Sequence, residues 1–183
     1  MLAPPTLYPH SIEFPFTFAY SEIHHDIKGI PHPDPLTRKG LILCRDHTFT
    51  VQQIARLEEV LKMKVEETWG SPSVLRDRFM KAKYFVYFRE HTVSRGNAVA
   101  EAIAGGALVI TGYHVSNRDI FKLSGTLLHN FNDILDSITS MEFSPKKYQQ
   151  TLEIQRNMAN FLLFDRPLYQ LLERSQAVLN VKL

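Results

Sequence analysis

The run Ser94-Arg95-Gly96-Asn97, with Glu101 shortly after it, combines residue types suited to holding an anion. A glycine lets the backbone approach a ligand closely. A helix opening at Gly96 would leave the N–H groups of Gly96, Asn97 and Ala98 pointing at that anion, and the helix dipole favours negative charge there. Arg95 adds a guanidinium that can grip two phosphate oxygens together; a plain turn with a steric glycine accounts for the same four residues. Glu101 lies at least one turn inside, among Ala98, Val99, Ala102 and Ile103. A carboxylate among such neighbours must be exposed or hydrogen-bonded. It has the chemistry to accept bonds from a ribose diol, as acidic residues do in dinucleotide folds. A solvated helix glutamate or a structural ion pair is the alternative.

Other candidates sit where predicted strands end. Arg45 follows a short apolar run, where a guanidinium suits a diphosphate or pairs with Asp46 on the surface. Glu90 and His91 follow an aromatic run, and either is a general acid or base by type. Trp69 precedes Gly70 and offers a ring for stacking on a nucleobase or for ordinary packing. The histidines at 10, 24, 25, 32 and 47 show no metal-ligand spacing, so no metal is expected. Lys146-Lys147 and Arg76-Asp77-Arg78 read as solvated helix faces.

The elements that must position these residues follow from pattern. Seven of the ten prolines fall within the first 35 residues, a density that helices do not tolerate. Within that stretch, residues 12–18 alternate in polarity as an edge strand does. Residues 1–39 are therefore expected to be an irregular segment and linker, and 40–183 one folded domain. Strands are predicted at 40–44, 63–67, 84–88 and 107–111. Thr50 and Gln53 form a capping box before an apolar-periodic helix. Ser71 and Pro72 start another helix as N-cap and first residue. A helix over 96–104 stops at Gly105-Gly106. Further helices are predicted over 131–139, 145–163 and 166–179. Alternation of strand and helix implies an α/β fold: a Rossmann-like parallel sheet with flanking helices and extra C-terminal helices. Ligands of such sheets bind at the carboxyl ends of the strands.

With 183 residues the chain suits one domain, and a chain this long buries roughly 70% of its unfolded surface. Its composition, 44% hydrophobic and 22% charged, is that of an ordinary globular protein. A net charge of +2, scattered along the chain, gives no nucleic-acid signature. No stretch is apolar enough to span a membrane, and the N-terminus does not read as a signal peptide. The single cysteine, Cys44, cannot form an internal disulfide, so a reducing, cytoplasmic setting is expected. It reads as a small apolar residue at a strand end.

The stretches LILCRD, ETWGSPSVLRDRFMKAKYFVYF, GNAVAEAIAGGALVITGY and SGTLLHNFNDILDSI span 40–138. Together they resemble the C-terminal, nucleotide-sugar-binding domain of GT-B-type glycosyltransferases. The resemblance covers roughly half the chain and implies a nucleotide-diphosphate sugar as donor substrate, with no cofactor and no metal. By position, Arg45 matches the arginine that contacts the donor diphosphate, and Gly96 matches a phosphate-loop glycine. Glu101 matches the glutamate that holds the ribose hydroxyls. Gly70 and Leu75 match the loop beside the nucleobase. The chain departs from the family pattern at Val93, Ser94 and Arg95, where relatives carry glutamate, glycine and phenylalanine, and it lacks the lysine expected soon after Arg45. Glu90, from a shifted loop, is the candidate substitute for the missing glutamate. GT-B enzymes use two such domains, so an N-terminal acceptor-binding domain or partner chain is implied, and the isolated chain is expected to be inactive. Two other readings stand beside this one: a degenerate, non-catalytic interaction or regulatory module of the same fold, and a nucleotide-sugar epimerase-like domain. The latter needs a glycine-rich loop after the first strand, which CRDHTFT does not supply.

Overall fold

The computed structural model describes residues 38, 40–45, 48–68, 70–88, 97–112 and 118–159. Four short strands, β1 (Leu41–Cys44), β2 (Lys64–Glu67), β3 (Tyr84–Tyr87) and β4 (Leu108–Thr111), form one parallel sheet in the order β2-β1-β3-β4. Register places Ile42 beside both Val65 and Tyr84, and Tyr84 beside Leu108. Residues of β3 and β4 are buried throughout. That fits the continuous apolar runs YFVY and LVIT, since a parallel sheet is covered on both faces.

Among the described residues six helices do the covering: α1 (Val51–Leu61), α2 (Pro72–Lys81), α3 (Asn97–Ala104), α4 (Arg118–Leu123), α5 (Phe131–Phe143) and α6 (Pro145–Ala159). On one face Leu43, Phe85, Tyr87 and Val109 pack against Phe79 of α2, Val99, Ala102 and Ile103 of α3, and Ile120 and Phe121 of α4. On the other, Ile42, Cys44, Tyr84, Val86, Leu108 and Ile110 pack against Leu57 of α1, Ile134, Ile138 and Met141 of α5, and Tyr148 and Leu152 of α6. The alternation follows from the period of two along each strand. Cys44 is part of that second layer, fully buried, with its thiol 3.6 Å from the Glu66 carbonyl.

Local signals explain most boundaries. The capping box at α1 is formed in full: Gln53 N donates to Thr50 Oγ1 at 3.2 Å and Thr50 N to Gln53 Oε1 at 2.9 Å. Pro72 begins α2, although Ser71 makes no side-chain cap there. Helix α3 ends in a Schellman motif, with Gly106 N donating to Ile103 O and Ala107 N to Ala102 O, both at 2.9 Å. Gly106 takes the left-handed φ of 82° that this motif requires. Helix α4 was not anticipated from the pattern; its six residues are too few to show a helical period. Helix α5 runs four residues past the expected 139, to Phe143. The predicted strand at 12–18, the helix at 166–179 and the end of the helix expected to reach 163 lie outside the described residues.

Both edges of the sheet are closed by side chains. On β4, Gln155 of α6 accepts from Val109 N at 2.9 Å and donates to Val109 O at 2.6 Å and Thr126 Oγ1 at 2.7 Å. Its amide thus stands in for a neighbouring strand. Thr111 N donates to Thr126 O and Leu128 N to Thr111 O just beyond. On β2, Val65 N donates to Glu58 Oε1 at 3.0 Å, and Arg78 Nη1 donates to Glu67 O at 2.8 Å. Such caps remove the unpaired groups through which edge strands associate.

Candidate functional site

Strand order decides where a ligand belongs. From β1 the chain winds outward to β2 through α1 on one face. It then returns through α2 on the other face to β3 and continues through α3 to β4. The reversal of winding lies between β1 and β3, and open α/β sheets bind ligands in the crevice outside the carboxyl ends of the strands at such a switch point.

Arg45 sits at this crevice, immediately after β1. Its N–H donates to Val86 O at 3.2 Å, which extends the β1–β3 ladder by one bond, and its carbonyl accepts from Thr48 N at 3.0 Å. Among the described residues its guanidinium takes no hydrogen bond or ion pair. Thr48 is half-buried, and its Oγ1 is buried with no partner among the described residues. An unpartnered buried hydroxyl is costly, so Thr48 offers a hydrogen bond at the crevice. Nothing in the sequence distinguished Thr48 from any loop threonine; its position became informative only with the turn back to Arg45.

The strand ends around Arg45 are pinned to one another. Thr68 donates to Cys44 O through both its N–H, at 2.8 Å, and its Oγ1, at 3.2 Å. Gly112 N donates to Tyr87 O at 3.3 Å. The Phe88 ring lies so close over Gly112 that a Cβ there would meet it at 2.9 Å. Gly70 is exposed between β2 and α2, with φ at 128°. The carboxyl ends of the strands are therefore tied to one another through the backbone.

Asn97 begins α3. Four residues on, Glu101 is buried, with 7% of its surface exposed, so it is not a solvated helix glutamate, and it is not without a partner. At 1.5 Å rise per residue Glu101 lies about 6 Å below the helix start. Its Cα–Cβ bond tilts toward that start, which faces the carboxyl end of the sheet. Ser94, Arg95, Gly96, Glu90, His91, Val93 and Trp69 lie outside the described residues, as do the histidines at 10, 24, 25, 32 and 47. Of the predicted site, then, Arg45 directly follows β1, Gly70 follows β2, and Asn97 and Glu101 lie on α3, between β3 and β4.

The amino end of the sheet is built differently. Glu142 accepts from Tyr84 Oη at 2.6 Å and from Lys83 Nζ at 2.9 Å. The Tyr84 and Tyr148 rings meet edge to face at 5.5 Å. Burial first, then the hydrogen bond to Glu142 and its charge, push the Tyr84 phenol well above its usual range. Arg38, within the stretch read as a linker, is buried here and donates to the carbonyls of Phe79, Ala82 and Gly105.

No family model, no curated protein and no solved structure matches the chain. Among the described residues, no helix is long and apolar enough to cross a membrane.

Proposed function

We propose that this domain binds a nucleotide-diphosphate sugar at the carboxyl end of the sheet and serves as the donor-binding half of a GT-B-type glycosyltransferase. The observation that carries the reading is the reversal of winding between β1 and β3, with the Arg45 guanidinium and the buried Thr48 hydroxyl, neither paired among the described residues, following β1. In this reading the donor diphosphate lies against Arg45 and the start of α3, Thr48 donates to a phosphate oxygen, Glu101 reaches toward the ribose, and the base lies near Gly70. Glycosyl transfer develops negative charge on the departing diphosphate. A guanidinium and a helix start beside that charge stabilise it. The acceptor side belongs to an N-terminal domain or partner chain, which would also close the cleft against water.

Val93, in the place of the first glutamate of the family pair, favours a second reading: a degenerate, non-catalytic domain of the same fold used for protein contact or regulation. Calorimetric titration with UDP, GDP, ADP, TDP and CMP separates the two. The proposal predicts that one of them binds and that Arg45→Ala weakens it at least tenfold. Absence of binding by all five favours the non-catalytic module.

A further inference from the structure

A second polar cluster lies at the opposite end of the sheet, around the α3–β4 turn. Arg38 is only 6% exposed. Its Nη1 donates to Ala82 O at 2.7 Å and Phe79 O at 3.3 Å, and its Nη2 to Gly105 O at 2.8 Å. These carbonyls close α2 and α3, so Arg38 caps the negative ends of two helix dipoles. Its Nε is buried and has no partner among the described residues. Arg156, on α6, reaches the same place from the other side, and its Nη2 is likewise buried without a partner. Both converge on Gly106: a Cβ there would stand 2.5 Å from Arg38 Nη2 and 2.8 Å from Arg156 Nη2. Two guanidinium groups that approach one glycine repel each other, and burial above all, together with the Arg156 charge, disfavours the charged form of Arg38, with Tyr148 partly offsetting. Folded proteins leave such a pair only where something negative joins it.

We infer that Arg38 and Arg156 form an oxyanion-binding site, in which a carboxylate or phosphate accepts from Arg38 Nε and Arg156 Nη2. Guanidinium N–H groups suit either group, because both present several oxygens in a small volume. Gly106 contributes by having no side chain to fill the gap. The site lies at the amino end of the sheet, and it stands or falls independently of nucleotide binding at the carboxyl end.

The test is thermal unfolding of the full chain in chloride and in phosphate at equal ionic strength and pH, for wild type and Arg156→Met. Methionine keeps the packing of the stem and removes the charge. A ligand that binds only the folded state raises its midpoint. A phosphate-dependent rise of about 3 °C that Arg156→Met abolishes identifies a free oxyanion as the occupant. An equal response of the two proteins to phosphate, with Arg156→Met melting several degrees lower in chloride and Arg156→Lys restoring part of the loss, identifies a carboxylate supplied by the chain itself. An equal response with Arg156→Met melting at or above wild type overturns the inference, because relief of repulsion is then the whole effect of removing the charge.

Discussion

The carboxyl end of the sheet and its two edges treat polar groups in opposite ways. Around the edges and across most of the amino end, side chains are committed to the fold. Gln155 substitutes for a strand beside β4, Glu58 and Arg78 close β2, and Tyr84, Lys83 and Glu142 bond to one another. At the carboxyl end the backbone is equally well tied, from Thr68 to Cys44, from Arg45 to Val86 and from Gly112 to Tyr87. There, however, the buried Thr48 hydroxyl has no partner among the described residues, and the half-buried Arg45 side chain makes no hydrogen bond or ion pair with them. A tied backbone with unused hydrogen-bonding capacity is the arrangement a binding site needs, because ordering it costs the ligand little.

The contrast breaks most readily at the β4 edge. Gln155→Leu leaves Val109 N–H and C=O buried without partners and is expected to destabilise the domain by about 3 kcal/mol in urea unfolding. A loss below about 1 kcal/mol would mean that α6 does not close the sheet as described.

At the amino end the raised phenol of Tyr84 sets a pH dependence. The folded state keeps Tyr84 protonated, while in the unfolded chain it ionises near pH 10. Folding stability from this group is therefore full below pH 10 and falls as pH rises beyond it, by about 1.4 kcal/mol per pH unit. Urea midpoints between pH 8 and 11.5 should show one proton's worth of slope in wild type that is absent in Tyr84→Phe. Equal slopes in the two proteins would place Tyr84 in contact with solvent.

The smallest effect on stability is expected at the carboxyl end. Thr48→Val removes a buried hydroxyl that has no partner among the described residues, so stability should hold or rise, by up to about 1 kcal/mol. Nucleotide affinity should nevertheless fall several-fold, measured by titration. A large destabilisation would show that Thr48 belongs to the closed perimeter.

What the sequence made legible follows the range of the interactions. The capping box at Thr50 and Gln53, the proline at the start of α2 and the glycine pair after α3 are decided within a few residues, and each was readable. The aromatic run YFVY announced a strand buried on both faces. Arg38 was not readable, because its partners are carbonyls 41, 44 and 67 residues away and nothing in the stretch before it hints at a clasp. Gln155 meets Val109 across 46 residues for the same reason. The burial of Glu101 likewise depends on tertiary packing of α3, since an isolated helix of that composition leaves a glutamate free to face water. Residue types pointed to Arg45; only the strand order shows that it lies at a switch point.

Backbone hydrogen exchange, measured residue by residue with and without saturating nucleoside diphosphate, tests the central claim most directly. The account predicts that one nucleotide slows exchange at residues 45–48 and 97–101 while residues 105–108, at the amino end, keep their rates. Protection confined to the amino end, or none with any nucleotide, would contradict it.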